Sequence, residues 1–170
     1  MLVLVAGPSG AGKDALLKAA REAFRDDPRI SFARRVITRP ADPDGEDHEP
    51  IEEADFATRD FALSWSAHGL RYGIAASALD RAPVVVANVS RGVIAEAALR
   101  YEVRVIEVTA PPGVLAARLA ARGRETALDV ERRLARVATI PEGVAVTTVR
   151  NDGTLAEGIA RFVAALSGTA

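Results

Sequence analysis

The sequence contains no cysteine. That absence excludes disulfides, thiolate zinc sites and cysteine nucleophiles together, and it fits a reducing compartment. Histidine is scarce: His48 and His68 stand alone, and neither has metal-ligand spacing. No Ser-His-Asp grouping is visible, so no side chain presents itself as a catalytic base. No apolar stretch approaches the roughly 20 residues that cross a bilayer. The apolar start, MLVLVA, stops after six residues in a glycine turn, whereas a secretory signal needs a basic start and a longer run. Charge of neither sign is in excess. The formal net charge is -1, which gives nucleic acid or an acidic membrane nothing to hold non-specifically. The expectation is a cytoplasmic protein with small-molecule partners, with neither nucleic acid nor membrane among them. Its 170 residues suffice for a single domain, 1–170, with a stable core.

What is present is an alternation. MLVLVA reads as a strand buried on both faces, because its apolar run is unbroken. KDALLKAAREAFRDD follows with helical spacing, placing Leu16, Leu17, Ala20 and Phe24 on one face. RISFARRVITRP reads as a second strand ended by Pro40, and the acidic ADPDGEDHEPIEEAD as a loop. FALSWSAHGLRYGI suggests short strands around a turn at Gly69. APVVVANV, EVRVIEVTA and GVAVTTV are further strands; SRGVIAEAALR, PPGVLAARLAARG, TALDVERRLARVATI and TLAEGIARFVAAL are further helices. In the third of these, Thr126 is a possible cap, and Gly123 ends the second. Strands alternating with helices predict an α/β fold: a parallel sheet of about five strands flanked by helices. The segment from about Ser31 to Ile74 breaks the alternation and reads as an inserted subregion that carries specificity.

GPSGAGKD, residues Gly7, Pro8, Ser9, Gly10, Ala11, Gly12, Lys13 and Asp14, has the spacing of a phosphate-binding loop, with a buried strand before it and an amphipathic helix after. The glycines let backbone N–H groups face an anion. The helix N-terminus adds partial positive charge, and Lys13 adds a full one, aimed at the β- and γ-phosphates of a nucleotide. The anomaly is Asp14, where a serine or threonine normally contacts Mg²⁺. A carboxylate is also a hard oxygen ligand. The strand PVVVANV, which would carry a second metal-binding acid, ends in Ala87, Asn88 and Val89 instead. Asp14 therefore reads as a metal ligand that supplies the charge the later strand lacks. As a helix-terminal acid alone, it would only complement the dipole.

Arginines gather in two places: Arg29, Arg34, Arg35 and Arg39 near the second strand, and Arg118, Arg122, Arg124, Arg132, Arg133 and Arg136 around RLAARGRETALDVERRLAR. A planar guanidinium matches two phosphate oxygens at once. Arg39 and Arg122 sit at turns, where a side chain can reach into a cleft. The missing base is no obstacle if the acceptor is itself a phosphate, already mostly ionised at neutral pH because its second pKa is about 6.

With these segments in view, nearly the whole chain resembles the guanylate-kinase-like branch of the P-loop nucleoside-monophosphate kinases. VITRP…GEDHEPI resembles that family's acceptor-phosphate segment, HGLRYGI its tyrosine-glycine segment, RLAARGRETALDVERRL its lid, and TTVRNDGTLAEGIARF its C-terminal strand-loop-helix. The resemblance implies a P-loop NTPase fold with a lid over about 118–133 and an acceptor-binding subregion over about 31–74. It implies ATP and Mg²⁺ at the loop, Asn151 near the ATP base, Arg122 and Arg133 acting with Lys13 in transfer, and Arg35, Arg39, His48 and Tyr72 on the acceptor. The departures matter as much. Ser64 and Asn88 stand where guanine-reading acids are expected; Arg35 replaces a phosphate-binding serine, and His48 a tyrosine. This combination resembles members that act on a sugar bisphosphate in bacterial phosphonate breakdown. A nucleoside-monophosphate kinase with altered base choice, and a catalytically dead binding module, are the alternatives.

Overall fold

In the computed structural model the described residues are 1–41, 46–121 and 139–168. Strand β1 (Leu2–Ala6) lies at the centre. Val3 and Val5 enter one core, and Leu2, Leu4 and Ala6 the other. A strand covered on both faces has to be apolar at every position, which is why MLVLVA shows no alternation.

The main sheet has the order β2-β7-β1-β8-β9 and is parallel throughout. Its other strands are β2 (Ile30–Phe32), β7 (Val84–Asn88), β8 (Val103–Thr109) and β9 (Ala145–Arg150). Helices α1 (Lys13–Ala23) and α5 (Leu155–Ser167) close the first core, where Leu16, Leu17 and Ala20 meet Phe162 and Leu166. Helix α3 (Ile94–Arg100) packs Ile94 and Ala97 into the second, and α4 (Pro112–Ala121) follows β8. The five-strand α/β architecture expected from the sequence is therefore present.

The inserted region builds a second sheet, ordered β4-β3-β6-β5. It comprises β3 (Arg35–Ile37), β4 (His48–Pro50), β5 (Phe61–Ala67) and β6 (Leu70–Ala75), with the short helix α2 (Glu53–Phe56) between β4 and β5. The β5–β6 hairpin turns at His68 and Gly69, both left-handed at φ 55° and 72°, as the sequence suggests for Gly69. Leu63 and Ile74 from this sheet share the second core with Leu4 and Val85 of the main sheet.

Two expectations change here. RISFARRVITRP is not one strand. Ala33 still donates its N–H to Val86, after which the chain leaves the main sheet and β3 pairs with β6. No glycine or proline marks that transfer. The acidic segment also contains a strand: β4 pairs in parallel with β3, matching Arg35 with His48 and Ile37 with Pro50. A proline is tolerated because β4 is an edge strand, where a missing N–H breaks no inner ladder. The helix expected over 126–140 begins outside the described residues.

Candidate active site

The phosphate-binding loop leaves β1 at Ala6 and enters α1 at Lys13. Gly7 is held at φ 149°, and a Cβ there would sit 2.1 Å from the carbonyl oxygen of Val108. Gly12 caps α1 in the left-handed region, at φ 87°, with no side-chain hydrogen bond to the helix. Its empty α-position faces Asn151 Nδ2, 2.5 Å from where a Cβ would stand. The loop's glycines thus serve close packing against β8 and β9 as well as conformation. Lys13 bends back over the loop, its Nζ donating to the carbonyls of Gly7 at 2.8 Å and Pro8 at 3.0 Å.

Asn151 is 3% exposed and sits behind the loop. Its Nδ2 donates to the carbonyl of Ala11 at 2.8 Å, and its backbone N–H to Thr109 at 2.8 Å. The residue expected beside the nucleotide base is here a brace for the loop. Gly158 on α5 leaves room for it: a Cβ there would meet Asn151 Oδ1 at 2.2 Å.

Asp14 lies in the first turn of α1. Its Oδ1 accepts from Asn88 Nδ2 at 3.2 Å. Asn88 ends β7, is 7% exposed, and its Oδ1 is buried without a hydrogen-bond partner among the described residues. Such an orphaned buried acceptor calls for a missing partner. A carboxylate and an amide oxygen side by side are the hard oxygen donors that Mg²⁺ takes. The residues present therefore fit a divalent cation, although no group of three or more His, Cys, Asp or Glu side chains is placed to hold a metal among the described residues.

Beside this pair opens a cavity of about 770 Å³, lined by α1 on one side and by Arg34, Arg35 and His48 on the other. That volume lies in the ~300–1,000 Å³ range of small-molecule sites. The arginines of its outer wall are not free charges. Arg34 Nε donates to Asp47 at 2.8 Å, and Arg35 forms a two-bond pair with Glu46. Arg35 also lies over Tyr72, 5.6 Å from the ring centre, and Tyr72 stacks on Trp65 at 5.5 Å. Tyr72, 8% exposed, is thus a platform beneath Arg35. His48 is 2% exposed and ties the wall together: Nε2 lies 3.1 Å from the Arg39 carbonyl and Nδ1 2.9 Å from that of Glu46. Arg39 approaches the same ring, and its Nε is buried with no acceptor among the described residues.

The structure thus brings together Lys13, Asp14, Arg35, Arg39 and His48 around the loop and cavity, with Tyr72 beneath Arg35. Arg122 and Arg133 lie outside the described residues. Arg118 on α4, at the start of the segment read as a lid, reaches the loop with Nη1 3.5 Å from the Gly10 carbonyl. Lys18 and Arg21 also line the cavity and are not apparent from the sequence motifs.

No family model matches the chain. The ribose 1,5-bisphosphate phosphokinase of Acidiphilium cryptum is 54% identical over 168 residues, covering 97% of this chain and 91% of that one. The bifunctional ribose 1,5-bisphosphokinase-thymidine phosphorylase of Cupriavidus pinatubonensis is 52% identical over 172 residues, covering 96% of this chain and 28% of that protein. Among solved structures, the guanylate kinase of Anaplasma phagocytophilum superposes with a TM-score of 0.67 over 99% of this chain and 85% of that one, at 15% identity. That last likeness speaks for the fold, which is that of the P-loop kinases. Near-full-length identity above one half decides the rest: the chain belongs to the ribose 1,5-bisphosphate phosphokinase family.

Proposed function

We propose that the chain transfers the γ-phosphoryl group of ATP to the 1-phosphate of ribose 1,5-bisphosphate. The bond from the γ-phosphorus to its bridging oxygen breaks, and a bond to an oxygen of the 1-phosphate forms. The products are ADP and 5-phosphoribosyl 1-diphosphate. The observation that carries this reading is the identity to the Acidiphilium cryptum phosphokinase across nearly all of both chains.

The geometry supports it. Lys13, anchored on the Gly7 and Pro8 carbonyls, would hold its ammonium at the loop mouth against the β- and γ-phosphates. No base is required of the protein, because a phosphate acceptor arrives ionised. Phosphoryl transfer then rests on positioning and charge neutralisation. Arg39 Nε, a buried donor without an acceptor among the described residues, would gain one from an acceptor phosphate oxygen. Arg35, held by Glu46 and Tyr72, would present its remaining donors to the same group. Arg122 and Arg133 would act with Lys13 in transfer, as the family resemblance implies.

Mg²⁺ would be held by the Asp14 carboxylate with the Asn88 amide oxygen beside it, and when bound it neutralises phosphate charge. A guanine base would fare poorly. Ser64 is exposed on β5, and Asn88 is engaged with Asp14. The ring N–H groups of a purine would be left badly paired, at about 1–3 kcal/mol for each buried one. The test is incubation with ATP, Mg²⁺ and a panel of phosphorylated acceptors, with products identified by mass. Product from ribose 1,5-bisphosphate is expected. Conversion of GMP as efficient as that of the bisphosphate overturns the reading.

A further inference from the structure

The cavity wall holds four cationic side chains, Lys18, Arg21, Arg34 and Arg35, against three carboxylates, Asp14, Glu46 and Asp47. Their pairing decides which charges remain for a ligand. Arg34 is matched by Asp47 and Arg35 by Glu46. Asp14 is engaged with Asn88. Lys18 and Arg21 have no carboxylate partner among the described residues. Lys18 is exposed at the cavity, with no hydrogen bond among the described residues. Arg21 is held in place without being neutralised: its Nη2 donates to the Ala33 carbonyl at 3.4 Å, and its guanidinium carbon sits 5.6 Å from the centre of the Phe32 ring. A guanidinium has five N–H donors, so most of Arg21's remain for another acceptor.

Position along α1 gives this pair a specific task. Asp14, Lys18 and Arg21 are four and then three residues apart, so they form one stripe on one face of the helix. At 1.5 Å per residue, Lys18 and Arg21 lie about 6 Å and about 10 Å beyond Asp14 along the axis. The phosphate that accepts the γ-phosphoryl group must lie at the N-terminal end of the stripe, beside Lys13 and Asp14. An acceptor with a second phosphate at the far end of its sugar would place that phosphate one to two helical turns further on. There Lys18 and Arg21 stand, without a carboxylate partner among the described residues.

Resting on the phosphokinase reading, we infer that Lys18 and Arg21 form a subsite for the non-reacting phosphate of a sugar bisphosphate and so set the preference for it. They act on substrate binding and not on the transferring group. A monophosphate that occupies only the reacting end leaves them unused.

The test compares wild-type protein with Lys18→Gln and Arg21→Gln. Three constants are measured: KM for ribose 1,5-bisphosphate, and Ki for ribose 5-phosphate and ribose 1-phosphate as competitors. Charged hydrogen bonds of this kind set the expected scale: KM for the bisphosphate and Ki for ribose 5-phosphate rise together by ~10- to 100-fold, while Ki for ribose 1-phosphate moves by less than ~3-fold. Lys18→Gln, at an exposed position without bonds to the backbone, asks the question with no risk to the fold from losing the Arg21–Ala33 bond. A parallel rise in both competitor constants, or no change in any constant, overturns the inference while the phosphokinase reading stands. Wild-type protein that forms no product from ribose 1,5-bisphosphate overturns both.

Discussion

At the scale of single residues, the proposed chemistry rests on Lys13 and on Asp14, with Asn88 beside it where an acid is expected. Lys13 is fixed by two loop carbonyls, so its charge is in place before a nucleotide arrives. Lys13→Ala should cut turnover by about 10²–10³-fold, the usual loss when one preorganised charge donor is removed, while a cooperative melting transition persists. Steady-state rates beside a melting curve check this, and near-normal turnover would remove the loop from the donor site. Asp14 and Asn88 come from points 74 residues apart, yet their side chains are 3.2 Å apart. Asp14→Asn should raise the Mg²⁺ concentration for half-maximal rate by at least about 10-fold, since even outer-shell partners of a metal are worth that much. An unchanged Mg²⁺ titration would reduce Asp14 to a complement of the helix dipole. The loop residues were legible in the sequence because they are contiguous and every glycine has a local duty. The Asp14–Asn88 contact was legible only as an absence, the strand end without an acid. The part Asn151 plays in bracing the loop was not legible, because spacing does not show which backbone carbonyl a side chain will meet.

At the scale of elements, α5 ties the loop to the core. It begins in a capping box: the Thr154 hydroxyl accepts from Glu157 N–H at 3.3 Å, and the Glu157 carboxylate accepts from the Thr154 N–H at 2.8 Å. From there the helix carries Gly158 against Asn151 and Phe162 into the main core. Thr154→Ala should cost about 1 kcal/mol, a fall in Tm of about 2–4 °C at this chain length, readable by calorimetry. The Thr154 N–H, and then its hydroxyl, hold the Glu157 carboxyl below its usual pKa. The ionised form therefore stabilises the fold. This contribution is complete above the ordinary carboxyl range and is lost as pH falls through the lowered value. Glu157→Gln should accordingly be less stable than wild type at neutral pH and converge with it in acid. A gap in urea midpoint that stays constant with pH would contradict this. Strands β1 and β7 of the main sheet were readable because each is a short apolar run beside a breaker, Gly7 after β1 and Pro83 before β7. In the second sheet the β5–β6 hairpin was readable from its turn at Gly69, whereas β3 and β4 were not: β2 and β3 share an uninterrupted run, and β4 hides an acid and a proline that only an edge position allows.

At the scale of the molecule, the proposed acceptor site lies where the second sheet stands beside α1. Each half alone is ordinary: an amphipathic helix with a polar stripe, and a short mixed sheet with arginines. Together they enclose the cavity of about 770 Å³. Lys18 and Arg21 were not singled out in the sequence, because nothing local says that they will line a cavity facing a sheet more than ten residues later. The stripe formed with Asp14 at helical spacing was the available signal. The arginine surplus expected around 34–39 is smaller in the fold, since Asp47 and Glu46 neutralise two of its members. The proposed specificity for two phosphates therefore draws on charges from two separate elements. The central claim is that the reacting group of the acceptor is the 1-phosphate of a sugar bisphosphate. The most direct measurement is the phosphorus-31 spectrum of the product formed from ribose 1,5-bisphosphate and ATP, with GMP as a parallel acceptor. A new pair of mutually coupled diphosphate signals beside an unchanged 5-phosphate signal is expected, with little conversion of GMP. An additional uncoupled monophosphate signal, which marks transfer to a hydroxyl, or GDP formed as readily as the sugar diphosphate, would contradict that claim.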